Sequence, residues 1–183
     1  MCSLTSGVSL QTLGEKYGTD KATKHSYLPV YEKYLAEMRE DGFNLLELGV
    51  KSGASLQMWK EYFPNAKIYG VDVVPIPSIE DCTIYQFHQA DRDAIERTFK
   101  NEQFRIIVDD ASHLISDQIL SVCFLWPKLE KGGYYFIEDV GSFGFWNEPN
   151  FLNYFGPFRP TIHDLRPTNP KANDDILLVL RKE

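Results

Sequence analysis

The 183 residues carry a formal net charge of -7 and are 43% hydrophobic, a composition that suits one folded domain with a core large enough to stand without disulfides or structural metal. The acidic balance and the lack of any Lys/Arg cluster exclude a phosphate-backbone partner, and Cys2, Cys82 and Cys123 form no CxxC pair, which excludes a disulfide framework and a thiolate zinc site. No window approaches the roughly 18 apolar residues of a membrane span and no basic, then apolar, leader opens the chain, so a soluble cytoplasmic protein is expected.

Taken in chain order, the N-terminal 40 residues read as helical, with Tyr27, Tyr31 and Tyr34 on one helix face. "FNLLELGV" (43–50) and "KIYGVDVV" (67–74) read as two parallel strands joined by the helix "GASLQMWKEYF", in which Leu56, Trp59, Lys60 and Phe63 share one face. "TIYQFHQA" (83–90) is a third strand, and the helix "DRDAIERTFK" leads to a fourth, "FRIIVDD". The stretch 114–129 has helical period and breaks near Pro127, after which "KGGYYFIEDV" supplies a turn and a fifth strand. The aromatic, Gly- and Pro-rich 141–160 reads as a loop with one short helix. "TIHDLRP" and "DDILLVLRKE", linked by a short turn, read as an antiparallel pair. Apolar runs with polar residues only at their C-terminal ends belong to buried parallel strands, so the fold class is α/β with helices on both sheet faces and a reversed last strand.

Function in such sheets gathers at the C-terminal strand ends. Glu47, Gly49 and Gly53 mark a strand-to-helix turn that is either a plain tight turn or a cradle bringing backbone amides to a ligand; Lys51 and Ser52 separate it from the dinucleotide GxGxxG. Asp72, ending the second strand, is placed to accept both hydroxyls of a ribose, or caps the next turn. Asp91 either faces an adenine amino group, with Gln89 and Ala90 beside it, or N-caps the helix that follows. Together these point to a nucleoside ligand. In "IIVDDASH", Asp110 and His113 are a candidate metal ligand and base, or a helix cap and a packed ring.

"LLELGVKSGASLQMW", "IYGVDVVP", "HQADRDA", "IIVDDASH" and "GGYYFIEDV" together resemble the class I S-adenosylmethionine-dependent methyltransferases. "YGTDKATKHSYLPVYEKYL" and "DDASH" narrow the resemblance to the macrolide sugar O-methyltransferases of the mycinamicin and demethylmacrocin type, with looser similarity to the cephalosporin hydroxylase family. The resemblance implies a Rossmann-like, mostly parallel seven-stranded sheet in a single domain over 1–183, divided into an N-terminal lid (1–40), a cofactor-binding core (41–140), a substrate-side loop (141–160) and a C-terminal strand pair (161–183). It implies S-adenosylmethionine held by Glu47, Gly49, Gly53, Asp72, Asp91 and Asp109, and Mg²⁺ or another divalent cation held by Asp110, Glu138 and Asp139. Lys51 stands where the glycine motif usually has its middle glycine. His113 is then the general base that takes the proton from a sugar hydroxyl, with Asp110 beside it. Tyr17, Thr19, Asp20, Lys21, His25, Tyr27 and Tyr31 match a segment that in the family helps cover the site.

The implied acceptor is a small-molecule hydroxyl, a sugar or glycoside, with neither nucleic acid nor membrane as partner; the short 141–160 region leaves a second copy or a neighbouring domain to complete the pocket. Two rivals stand beside this. An oxygenase using the same acids with His113 for iron needs a second histidine, and His25, His88 and His163 have no recognisable ligand spacing. A non-catalytic nucleoside-binding module would have no use for Asp110, His113 and Asp139 as a set.

Overall fold

The computed structural model describes residues 7–141, 151–169 and 172–183. Three short helices open it: α1 (Leu10–Tyr17), α2 (Asp20–Thr23) and α3 (Leu28–Leu35). The side chain of Ser9 caps α1 by accepting the Thr12 amide at 3.1 Å, and Gly18, at φ 71°, closes it in a left-handed turn that redirects the chain into α2.

The sheet follows: β1 (Asn44–Leu48), α4 (Ala54–Tyr62), β2 (Lys67–Asp72), β3 (Cys82–Gln86), α5 (Arg92–Thr98), β4 (Phe104–Asp109), α6 (Ile115–Leu125), β5 (Leu129–Ile137), β6 (Thr161–Asp164) and β7 (Ile176–Arg181). The seven strands lie in the order β3-β2-β1-β4-β5-β7-β6. All pairs are parallel except β5/β7 and β6/β7. The expected reversed last strand is β7; it is inserted between β5 and β6 instead of forming the edge.

Alternation along each strand divides the core between the two faces. Leu45, Ile68, Ile106 and Phe136 pack with Leu10, Tyr31, Leu56 and Trp59 of α1, α3 and α4, whereas Leu46, Val71, Ile107 and Ile137 pack with Ile95 of α5, Phe99 just after it, and Val122 and Leu125 of α6. One element differs from the sequence reading. Helix α6 stops at Leu125 and a 3-10 turn over Trp126–Lys128 feeds directly into β5, so Gly132 and Gly133 lie inside a strand and not in a turn before it. The pairing with β4 slips there, between Phe104 and Ile106, and a side chain at Gly133 would come within 2.7 Å of the Arg105 carbonyl. Part of the expected 141–160 loop, residues 142–150, lies outside the described residues; two 3-10 turns, Phe151–Tyr154 and Gly156–Phe158, follow. Among the described residues no helix is long and apolar enough to cross a membrane.

Candidate active site

Strands β1, β2 and β4 end side by side, and the backbone after them is locked together. The Gly49 amide donates to Val71 O at 2.8 Å and the Asp110 amide to Leu48 O at 2.9 Å. Gly49 sits at φ 87°, and a Cβ there would lie 2.0 Å from the Asp110 carbonyl oxygen, so only glycine lets the β1 and β4 loops meet. The resulting cleft, of about 490 Å³, is lined by Gly18–Asp20, Gly49–Ser52, Ala54, Ser55, Asp72, Val74, Asp110, Ala111 and His113.

Asp72 stands at one end of this cleft. One carboxylate oxygen accepts the amides of Val50 (2.8 Å) and Lys51 (2.9 Å) and the other that of Val74 (3.0 Å). Burial alone would raise its pKa; the backbone donors outweigh it and hold the carboxyl below its ordinary range. Asp72 is thus an ionised acceptor fixed by the loop it supports, with lone pairs left for hydroxyl donors. Asp72→Ala is expected to weaken S-adenosylhomocysteine binding by about 1.5–3 kcal/mol, measured by calorimetry; unchanged affinity would remove Asp72 from the pocket.

Behind the cleft lies a buried charge cluster centred on Lys21 of α2. Its ammonium is 2.5 Å from Asp110, 2.9 Å from Glu138 and 3.2 Å from Glu47, and its side chain is 1% exposed. Burial would lower the Lys21 pKa, but the three carboxylates raise it well above normal. One ammonium does not balance three carboxylates. Burial also works to raise Asp110, yet Lys21 and His113 bring it down to about 2, while Glu138 and Glu47 stay raised by burial. Tyr31 donates to Glu138 at 2.5 Å and the Trp59 indole to Glu47 at 2.9 Å.

On the cleft side, His113 Nε2 bridges Asp110 Oδ1 (3.2 Å) and Asp139 Oδ2 (3.5 Å). Ligand atoms of Asp110, His113 and Asp139 all lie within 4.8 Å of one another. His113 and Asp139 both adopt left-handed backbone, at φ 57° and 51°, which turns their side chains toward each other across the ends of β4 and β5. Burial lowers the imidazole pKa, but the hydrogen bond with Asp110 and the charge of Asp139 outweigh it and raise it above the usual 6.5. The Tyr27 hydroxyl donates to Asp139 Oδ1 at 2.7 Å and accepts the Asp139 amide at 3.1 Å. His25, stacked on Tyr27, has Nε2 3.4 Å from the same Oδ1.

Of the residues singled out from the sequence, Gly49, Asp72, Asp110, His113 and Asp139 come together, and Gly53, at φ 79°, starts α4 beside them. Four others face elsewhere. Glu47 lies under the loop against Lys21 and Trp59, and Glu138 turns to Lys21 and Tyr31, away from His113. Asp109 points beneath the sheet, where Gln89 donates to it at 3.0 Å and Ser121 also binds it, and burial lifts its carboxyl to about 6. Asp91 N-caps α5 through the Ala94 amide at 3.0 Å and does not line the cleft, nor does Gln89 or Ala90. No individual role was legible in advance for Lys21, His25, Tyr27 and Tyr31, which between them hold four acids at the strand ends, Glu47, Asp110, Glu138 and Asp139. The one available signal was the i, i+4 spacing of Tyr27 and Tyr31, and it reads equally well as core packing.

No family model matches the chain. The 8-demethyl-8-(2-methoxy-alpha-L-rhamnosyl)-tetracenomycin-C 3'-O-methyltransferase of Streptomyces olivaceus is 32% identical over 142 residues, covering 72% of this chain and 36% of its own length. The mycinamicin VI 2''-O-methyltransferase of Micromonospora griseorubida gives the same identity and the same shares. Among solved structures, the MycE methyltransferase of the mycinamycin biosynthetic pathway, in complex with Mg and SAH, superposes with a TM-score of 0.79 at 24% identity, covering 96% of this chain and 55% of that one, a likeness of fold. A sheet of order 3-2-1-4-5-7-6 with a reversed seventh strand and its cleft at the β1, β2 and β4 ends is the Rossmann-like fold of the class I methyltransferases. Within that class the chain is a homologue of the macrolide and tetracenomycin sugar O-methyltransferases. It spans about a third of the length of the curated relatives it matches.

Proposed function

We propose that this chain is a catalytic domain of an S-adenosylmethionine- and divalent-metal-dependent O-methyltransferase acting on a hydroxyl of a sugar or glycoside, with His113 as general base. The observation that carries the reading is the convergence of Asp110, His113 and Asp139 within 4.8 Å at the edge of the cleft that Asp72 closes at its other end. Two carboxylates within reach of one another form the hard oxygen donor set that Mg²⁺ prefers. Asp110 and Asp139 would hold the cation, whose charge lowers the pKa of an adjacent hydroxyl, and the cleft from Asp72 to Gly49 would hold S-adenosylmethionine, which supplies the methyl group on a sulfonium.

The chain's own residues then have separable tasks. His113 accepts the hydroxyl proton at Nε2, and the nearby carboxylates of Asp110 and Asp139 stabilise the imidazolium that results. Tyr27 fixes the rotamer of Asp139 from the opposite side, and Lys21 keeps Asp110 ionised. The names of the relatives support a deoxysugar acceptor. Against the oxygenase alternative, His25 and His113 meet opposite oxygens of Asp139, and among the described residues no cluster of potential metal ligands contains both.

Exhaustive chelation is expected to abolish transfer of labelled methyl to a panel of rhamnosyl and olivosyl glycosides and Mg²⁺ to restore it, while calorimetry still shows S-adenosylhomocysteine binding to the metal-free protein. Full transfer after chelation would remove the metal from the reading. Absence of nucleoside binding would remove the methyltransferase itself.

A further inference from the structure

The cleft wall carries five ionisable side chains, and three are engaged within it: Asp72 by loop amides, and Asp110 and His113 by each other. The other two, Lys51 and Asp20, face each other across the mouth, with Lys51 Nζ 3.0 Å from Asp20 Oδ2. Lys51 is 83% and Asp20 39% exposed at the side chain, and an ion pair so open to water contributes little to stability. Lys51 also occupies left-handed backbone, φ 53°, a conformation that strains a residue other than glycine. The pair therefore does not account energetically for a lysine at this position. What distinguishes it is its placement: the Lys51 amide is bound to Asp72, so one residue connects the hydroxyl-accepting acid to a cation a side chain's length away, with an anion from α2 beside it.

A cation and an anion side by side, one side chain's length from a ribose-binding acid, complement the α-amino-acid end of a nucleoside sulfonium or thioether. Resting on the cofactor reading above, we infer that Lys51 and Asp20 form a zwitterion clamp, Lys51 taking the ligand's α-carboxylate and Asp20 its α-ammonium. In the free protein the two charges satisfy each other, so the ligand exchanges one ion pair for two and desolvates no lone charge. The clamp lies between α2 and the β1 loop, so binding would also fasten the N-terminal segment to the sheet.

The test compares two probes by calorimetry, S-adenosylhomocysteine and 5'-methylthioadenosine, which lacks the amino-acid end. The wild-type protein is expected to prefer S-adenosylhomocysteine at least tenfold. Lys51→Met and Asp20→Asn should each reduce that preference by about tenfold, the equivalent of one charged hydrogen bond, and leave 5'-methylthioadenosine affinity unchanged. Equal affinity of the wild-type protein for both probes, unchanged preference in both variants, or loss of both ligands together would overturn the clamp and leave the nucleoside pocket standing. Failure of the wild-type protein to bind either probe would overturn the cofactor reading and the clamp with it.

Discussion

Lys21→Met is expected to destabilise the fold by about 3–5 kcal/mol, the cost of leaving buried carboxylates without their cation. Lys21 is buried and touches Asp110, Glu138 and Glu47, each from a different strand end, so the substitution leaves Glu47 and Glu138 facing Asp110 with no cation beside them. Urea titration at two pH values provides the check. A carboxyl whose folded pKa is raised binds more protons folded than unfolded above its ordinary value, so its contribution to stability falls as pH rises. Glu47 and Glu138 are already raised by burial, and removing Lys21 raises them further. The deficit should therefore be larger at pH 8 than at pH 5. Adding Glu47→Gln and Glu138→Gln should recover much of it, because removing both sides of a buried ion cluster costs far less than removing one. A deficit under about 1 kcal/mol, or one independent of pH, would show that the cluster does not carry this electrostatic load.

For His113→Ala the expected result is kinetic: kcat lowered by about 10²- to 10⁴-fold with S-adenosylhomocysteine affinity nearly unchanged. The imidazole lies at the Asp110/Asp139 end of the cleft, and Asp72 closes the other. A general base works only when neutral, so the wild-type rate should fall as pH drops through the pKa of His113 in the metal-loaded enzyme. The variant should lose that acidic limb. An effect confined to KM would make His113 an acceptor-binding residue, and an unfolded variant would make it structural; His113→Gln, which keeps a hydrogen-bonding side chain, separates those outcomes.

How much of this was legible in the sequence differs from residue to residue for physical reasons. Strands β1, β2, β4 and β5 announce themselves as apolar runs with acids at their ends, and the glycine turn, Asp72 and the Asp110/His113/Asp139 set follow from where those runs stop. Neighbouring acids are harder, because alternation sends one up and the next down. Asp109 shares the face of Ile107, toward α6, and Glu138 shares the face of Phe136, toward Tyr31, so counting by twos from the core would have directed Asp109 into the sheet underside and Glu138 toward the helices. Asp139 escapes that count because its left-handed backbone breaks the strand alternation. The partners supplied by α2 and α3 had no such signal. Lys21 reads as a surface lysine in a short polar helix, and only the packing of distant elements buries it.

That long-range seating has a consequence for the order in which the molecule is made. Lys21 meets acids 89 and 117 residues further along, and Tyr27 one 112 residues further. A chain emerging from the ribosome therefore presents α2 and α3 long before the ends of β4 and β5 exist, and an ammonium cannot enter an apolar interior without its counter-charges. These helices must wait at the surface of the nascent chain until β5 has paired with β4. The docking of α2 and α3 therefore follows the pairing of β5 with β4, and with it the charge balance of Asp110 and the orientation of Asp139 are set.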